Sequence, residues 1–199
     1  MSAGMNPTSH WPPPTDRTAV WVWRHPLPIG VAGRCIGRTD VRVDPRRSKR
    51  LARRIQAVAR REGLGRVVHS SPLQRCANVG RWLRRWGWKH VVDVDLLELD
   101  FGTWDGLPWA HVPHAEVDAW CAAFATHAPG GGEPLARLLQ RAAAWVPNAG
   151  TGPQTGTVMV VGHAGWMLAR RWVQTHGPGV WPQAADWPQA PGHGQCWCL

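Results

Sequence analysis

Basic side chains, histidines and carboxylates follow four apolar runs of this sequence, each where the run ends. They are Arg24 and His25 after 18–23, Arg75 after 66–70, Glu98 and Asp100 after 90–97, and His163 after 157–162. A neutral histidine is a nucleophile toward phosphorus, and a carboxylic acid can protonate the oxygen that leaves. Arginine pairs with phosphate oxygens through parallel hydrogen bonds. These residue types together favour chemistry on a phosphate ester.

This chemistry needs no metal ion, because arginines and an imidazolium can take over its electrostatic role. His111 and His114 have no third ligand near them in the sequence, and Cys196 and Cys198 lack a second pair at zinc spacing. The sequence also has no GxxxxGK[ST] phosphate loop and no GxSxG motif. We therefore expect no metal site and no cofactor.

Strands that alternate with helices are expected to position these residues. Apolar, β-prone runs predict strands at 18–25, 66–70, 90–97 and 157–162, and a late edge strand at 195–199. Capping signals and helical spacing predict helices at 45–62, from Ser71-Pro72 onward, and at 111–128, 133–146 and 165–175. The alternation predicts an α/β sandwich around a mostly parallel sheet. We interpret the segment 104–132 as a lid-like insertion over the sheet edge.

In open parallel sheets, ligands bind outside the carboxyl ends of the strands. The polar residues that follow the four strands are therefore predicted to converge on one rim. The helices that begin after Ser71 and His163 are expected to present backbone N–H groups to an anion there.

Length and composition predict one domain over 18–199, preceded by a loose tail at 1–17 that is rich in proline, serine and threonine. No apolar run is long enough to span a membrane, and the tail lacks the apolar stretch of a signal peptide. A cytoplasmic protein with free thiols is the expectation. The formal net charge of +10 is interpreted as a solvated basic face on helix 45–62 rather than as a nucleic-acid surface. The sequence leaves the oligomeric state open.

Motifs in a fixed order then point to a family. They are Arg24-His25, Ser71-Pro72-Leu73-x-Arg75, Glu98-x-Asp100-Phe101-Gly102-x-Trp104-x-Gly106, Gly131-Gly132-Glu133 and Gly162-His163-Ala164-Gly165. In this order they resemble the histidine phosphatase (phosphoglycerate mutase-like) superfamily. The resemblance covers roughly residues 18–175. The loop Gly33-x-Cys35-Ile36-Gly37-x-x-Asp40 is similar to the branch that contains alpha-ribazole phosphatases.

The resemblance implies a three-layer α/β/α sandwich and a role for each matching residue. His25 would be the nucleophile that becomes phosphohistidine, and Glu98 the proton donor. Arg24, Arg75 and His163 would form the phosphate pocket. Further substrate contacts are expected at Cys35, Ile36, Gly37 and Trp104. A small phosphorylated metabolite is the implied partner, with alpha-ribazole 5′-phosphate as a candidate.

Three departures from the family pattern stand out. Pro26 replaces the usual glycine after the nucleophile, and Pro134 follows Glu133 where serine is usual. The asparagine that many members place a few residues after the nucleophile is missing. Backbone amides near residues 35–37 are expected to substitute for it as phosphate donors.

Two alternatives to hydrolysis stay open from the sequence. The first is a phosphoglycerate mutase-type phosphotransferase, which would share the nucleophile and the pocket. Such mutases tend to carry a longer insertion after the acid motif than residues 107–130 provide. The second is a non-catalytic module that binds phosphorylated ligands or nucleic acid.

Overall fold

The computed structural model describes residues 19–147 and 157–199, so the predicted tail at 1–17 lies outside the described residues. Five strands form one sheet in the order β3-β2-β4-β1-β5. Their bounds are β1 Ala19–Arg24, β2 Val67–Ser70, β3 Lys89–Val92, β4 Thr157–Gly162 and β5 Cys196–Cys198. The first four strands pair in parallel, and β5 pairs with β1 in the antiparallel sense. The predicted, mostly parallel sheet is confirmed.

Helices cover both faces of this sheet because its central strands are apolar on both sides. The helices are α1 Pro45–Arg61, α2 Gln74–Arg85, α3 His114–Ala122, α4 Leu135–Ala144 and α5 Ala164–His176. Helices α1 and α2 pack on Trp23, Met159 and Val161. Helices α4 and α5 pack on the opposite face, against Val22 and Val160. The α/β/α sandwich that the resemblance implied is therefore present.

Helix α1 begins and ends where the sequence predicts. The Asp44 carboxylate accepts the Arg46 N–H at 2.7 Å, and Pro45 occupies the first helical position. After Arg61 the chain leaves the helix through Gly63, whose φ of +64° favours glycine.

Three predicted elements are shorter than expected. The strand predicted at 90–97 ends at Val92, because the Asp93 carboxylate accepts the Asp95 N–H at 3.0 Å and starts a 3-10 turn. The helix predicted at 111–128 covers only α3, which Pro113 precedes and a non-helical Ala123 ends. The helix predicted at 133–146 covers only α4. Proline disfavours a helical conformation at the residue before it, so Glu133 stays outside.

The helix predicted from Ser71-Pro72 begins later, at Gln74. Its first turn is fixed from outside, since Gln74 N–H donates to Asp40 Oδ1 at 2.7 Å. This contact joins the long loop after β1 to the start of α2.

The same loop is bound to the segment that was predicted to be lid-like. Cys35 N–H donates to the Leu107 carbonyl at 2.8 Å, and Trp109 N–H donates to the Gly33 carbonyl at 2.9 Å. The Asp105 carboxylate accepts the backbone N–H groups of residues 37, 38 and 39. Residues 33–39 and 102–112 therefore form one rigid unit beside the carboxyl ends of the strands.

Candidate active site

His25 is placed by strand β1 and oriented by the proline that follows it. The parallel ladder extends to its backbone, since His25 N–H donates to the Gly162 carbonyl at 3.0 Å. Its side chain is 5% exposed, and Nδ1 lies 2.8 Å from the Pro26 carbonyl oxygen. A carbonyl only accepts, so Nδ1 must carry the proton. Nε2 is then left with a free electron pair, as a nucleophile requires.

The surroundings of His25 also keep it neutral. Burial, followed by the charge of Arg75, holds the pKa of His25 well below 6.5. A neutral imidazole at ordinary pH is the form that can attack phosphorus.

Arg75 and His163 lie behind His25. Arg75 Nε–H donates to His163 Nδ1 at 3.2 Å, and its other guanidinium N–H groups donate to the carbonyls of Thr39 and Gly37. His163 Nε2 lies 3.5 Å from Cys76 Sγ, and its ring centroid is 5.2 Å from that of His25. Both residues are 0–1% exposed. Arg75 and His163 thus lie close to His25, but their polar atoms are hydrogen-bonded to other groups of the protein.

Glu98 lies at the N-terminus of α5. Its Oε2 accepts the Gly165 N–H at 3.1 Å, and its Oε1 accepts the Leu99 N–H at 3.1 Å. A Cβ at residue 165 would lie 2.3 Å from Glu98 Oε1, so only glycine leaves room for the carboxyl group. Gly165, the last residue of the Gly162-His163-Ala164-Gly165 motif, therefore leaves the space that the Glu98 carboxyl group occupies.

Arg141, which sequence reasoning missed, holds the backbone around Glu98 in place. Arg141 donates to the carbonyl oxygens of Asp95, Leu97 and Glu98 at 2.7–3.2 Å. Glu133 in turn holds Arg141 at 2.9 Å and Arg38 at 3.2 Å through ion pairs. Glu133 of the Gly131-Gly132-Glu133 motif thus holds the segment around Glu98 in place from outside the cavity.

Arg24 and His193 flank His25 on the cavity side. Arg24 Nη1 donates to the Pro191 carbonyl at 2.6 Å, while its buried Nε has no partner among the described residues. His193 Nδ1 lies 3.2 Å from the His25 carbonyl oxygen, and the two imidazole centroids are 5.2 Å apart. His25 therefore lies between two imidazoles at equal distances.

Sequence reasoning missed His193 although a signal was present. The predicted edge strand at 195–199 is confirmed in its core, and it runs antiparallel to β1. The start of such a strand lies beside the end of its neighbour, so the turn that precedes β5 and carries His193 lies beside His25. The register was not readable from the sequence, and the prediction therefore stopped at the strand.

A cavity of about 1380 Å³ opens from His25. Of the predicted site residues, Arg24, His25, Ile36 and Glu98 line it. Cys35, Gly37 and Trp104 do not, because Cys35 and Trp104 are buried in a separate apolar cluster. The Trp104 Nε1–H donates to Glu116 at 2.7 Å. Their geometry indicates that they support the loop and the segment 102–112.

Four of the backbone N–H groups that the sequence offered to phosphate donate to other groups of the protein. The N–H groups of Cys35 and Gly37 donate to the Leu107 carbonyl and the Asp105 carboxylate. The helix N-termini at Gln74 and Gly165 donate to Asp40 and Glu98. The expectation that backbone amides near residues 35–37 substitute for the missing asparagine stays a prediction.

The comparisons with known proteins agree with this geometry. The sequence profile of the histidine phosphatase superfamily (branch 1) matches residues 20–182. The chain is 36% identical over 110 residues to "Bifunctional protein Rv2228c" of Mycobacterium tuberculosis (strain ATCC 25618 / H37Rv). That match covers 53% of this chain but only 30% of the relative, so the chain spans less than a third of that protein.

Solved structures share the fold. The alpha-ribazole phosphatase from Shigella flexneri is 20% identical with a TM-score of 0.69, over 89% of this chain and 88% of that one. A mycobacterial glucosyl-3-phosphoglycerate phosphatase in complex with VO3 is 24% identical with a TM-score of 0.68, over 90% of both chains. The chain belongs to the histidine phosphatase superfamily, branch 1.

The described residues contain neither a cluster of metal ligands nor a helix that could span a membrane. In residues 19–147 and 157–199, no group of three or more histidine, cysteine or acidic side chains could hold a metal ion. Within the same ranges, each helix is too short or too polar to cross a bilayer.

The depressed pKa of His25 predicts how stability depends on pH. The unfolded chain binds a proton at His25 below about pH 6.5, and the folded chain does not. The free energy of unfolding should therefore fall as the pH drops below that value. His25→Gln should reduce this loss, by at most about 1.4 kcal/mol per pH unit. Urea denaturation between pH 7.5 and 5 measures it, and equal slopes in both proteins would contradict it.

Proposed function

We propose that the protein is a phosphomonoester phosphatase that hydrolyses a small phosphorylated metabolite through a phosphohistidine at His25. The observation that carries this proposal is the orientation of His25. Its Nδ1 is committed to the Pro26 carbonyl, so its Nε2 is free beside a cavity that Glu98 also lines. Membership of the superfamily supports the same reaction class.

The reaction runs in two in-line transfers. In the first, the electron pair on His25 Nε2 attacks phosphorus and the bond to the leaving oxygen breaks. Glu98, as the carboxylic acid, gives its proton to that oxygen. In the second, the Glu98 carboxylate takes a proton from water, and the water oxygen attacks phosphorus. The N–P bond breaks, which releases inorganic phosphate and neutral His25.

Side chains supply the positive charge that the phosphoryl oxygens need. Arg24 faces the cavity beside His25, while Arg75 and His163 add their charge and dipole from behind. The Nδ1 of His193 lies at the His25 carbonyl, and burial, followed by the charge of Arg24, lowers the pKa of His193. The negative charge of a bound phosphate acts in the opposite direction, so that Nε2 gains a proton and donates to a phosphate oxygen when the ester is bound. We assign His193 the position of the donor that Pro26 and the paired amides cannot provide.

The substrate belongs among small phosphate esters. The likeness to the alpha-ribazole phosphatase from Shigella flexneri supports alpha-ribazole 5′-phosphate as a candidate. A mutase reaction is the alternative, and incubation with 2- or 3-phosphoglycerate decides it, since a mutase yields the isomer and a phosphatase yields inorganic phosphate. A module that only binds phosphorylated ligands or nucleic acid would show neither product. The cytoplasmic location stays a prediction.

Replacement of His25 tests the nucleophile. His25→Ala should lower turnover of 4-nitrophenyl phosphate by at least about 10³-fold, because no other group attacks phosphorus. EDTA should leave the wild-type rate unchanged. Mass spectrometry of acid-sensitive adducts should find the phosphoryl group on His25 in Glu98→Gln, whose second step lacks a base. Full activity of His25→Ala would reject the mechanism.

Gly165→Ala tests whether the position of the Glu98 carboxyl group matters for activity. The added Cβ would lie too close to Glu98 Oε1 and displace it, so kcat/KM on an alkyl phosphate, which reports the first transfer, should fall by roughly 10²-fold. An alkyl leaving group depends on the proton donor, whereas 4-nitrophenolate does not, so kcat/KM for the aryl ester should fall less. Unfolding by urea checks that the helix persists, since alanine is the better helix former. Equal losses on both esters would contradict the role given to Glu98.

His193→Ala tests the third imidazole. The KM for 4-nitrophenyl phosphate and the inhibition constant for inorganic phosphate should both rise by roughly tenfold, since one hydrogen bond to phosphate is lost. His114→Ala serves as the matched control, because His114 is exposed on α3 and does not line the cavity. Equal constants in wild type and His193→Ala would remove His193 from the phosphate site.

A further inference from the structure

Five aromatic rings form a continuous wall of the cavity, and we call it the aromatic wall. Its members in order of contact are Trp109, Phe101, Trp120, Phe124 and Trp187. Successive ring centroids lie 5.2–6.0 Å apart, in edge-to-face or tilted arrangements. Such contacts fix the orientation of rings. The wall is therefore a preformed apolar surface built from segments that are distant in sequence.

Aliphatic side chains complete the apolar lining. Leu99, Leu135, Leu138 and Leu168 lie at its buried end, where they are 0–5% exposed. Leu27 and Ile29 lie at the mouth and are 45% and 60% exposed. Large apolar side chains with this much exposure at the entrance of a cavity mark a surface that binds an apolar group.

Hydrogen-bonding side chains are few in this cavity. Among the described residues that line it, none carries a hydroxyl or a carboxamide group. The lining side chains that can hydrogen-bond are Arg24, His25, Arg34, Arg47, Glu98, Cys121 and His193, together with the indole N–H groups of Trp109, Trp120 and Trp187. Both oxygens of Glu98 already accept backbone N–H groups. The lining therefore offers few acceptors to the O–H groups of a bound sugar, which would lose their water partners, and this disfavours binding.

The volume of the cavity argues for a sizeable leaving group. At about 1380 Å³ it exceeds the 300–1,000 Å³ that is typical of small-molecule sites. A phosphoryl group at His25 fills only its polar end. The rest of the space lies between the aromatic wall and the aliphatic residues.

We infer that the preferred substrates are phosphomonoesters of apolar or aromatic alcohols, whose leaving groups pack on the aromatic wall, rather than sugar phosphates, a class to which the candidate alpha-ribazole 5′-phosphate belongs through its ribose. This inference rests on the proposed function and specifies its substrate class. The apolar group is held by burial, and the phosphate by the charged end. Orientation follows, because only one end of the cavity is basic and nucleophilic.

Binding of non-hydrolysable alkylphosphonates tests the inference without turnover. Ethyl-, butyl- and hexylphosphonate differ only in chain length, so calorimetry isolates the apolar contribution. We expect the dissociation constant to fall by roughly threefold per added methylene. Equal or undetectable binding of the three compounds would overturn the inference.

Hexyl phosphate and glucose 6-phosphate form a matched pair of substrates. Both are six-carbon esters of a primary alcohol, so the chemistry at phosphorus is similar. We expect kcat/KM for hexyl phosphate to exceed that for glucose 6-phosphate by at least about tenfold, given three or more buried methylenes. The opposite order would overturn the inference even though the phosphatase activity stands.

Trp109→Ala tests the aromatic wall, with Trp181→Ala as its control. Both tryptophans are 40% exposed, but only Trp109 lines the cavity. Trp109→Ala should weaken hexylphosphonate by roughly three- to tenfold and leave ethylphosphonate unchanged. Trp181→Ala should change neither. Loss in both variants, or in neither, would assign the chain-length effect to some other surface and overturn the role of the wall.

The two proposals fail separately in these experiments. Chain-length-dependent binding of phosphonates, lost in Trp109→Ala, supports the apolar site even if no ester is hydrolysed. Turnover of ethyl and hexyl phosphate at equal kcat/KM supports the phosphatase and rejects the apolar site.

Discussion

The hydrogen bond from His25 Nδ1 to the Pro26 carbonyl, 2.8 Å long, sets the chemistry of the site. It fixes the tautomer of a buried imidazole whose ring would otherwise be free to place its proton on either nitrogen. Proline suits this position because it keeps the preceding residue extended, at the tip of β1. Pro26 is therefore compatible with the proposed role of His25 as nucleophile, and it removes one backbone N–H donor.

The loss of that donor matters because carboxylates already accept backbone N–H groups at the N-termini of α2 and α5. Asp40 occupies the N-terminus of α2, and Glu98 occupies that of α5. Carboxylates are stabilised at helix N-termini by the same partial positive charge that would attract phosphate. In the proposed site, side-chain cations therefore supply much of the binding to phosphate, and Arg24 and His193 face the cavity beside His25.

Local sequence patterns predict much of the fold but only part of the candidate active site. The strands β1, β2 and β4 and the helix α1 were readable because burial and capping act over a few neighbouring residues. The lengths of β3 and α4 were not, because Asp93 and Pro134 override the apolar pattern. His193 and Arg141 were missed for a different reason. Each forms a hydrogen bond with a backbone carbonyl that is more than 40 residues away in the sequence. Residue spacing does not indicate such a contact.

The neutral imidazole of His25 lies beside the apolar cavity. Burial is the largest reason for the low pKa of His25, and apolar residues supply most of the lining of the adjoining cavity. A lipophilic leaving group would displace water from the same space, and charge interactions with the phosphoryl oxygens strengthen when water is excluded. Arg34 and Arg47, both exposed at the cavity, then attract the anionic end of the ester over a longer range. An apolar leaving group is therefore compatible with the phosphoryl chemistry and would favour it, because its binding dries the end of the cavity where the reaction takes place.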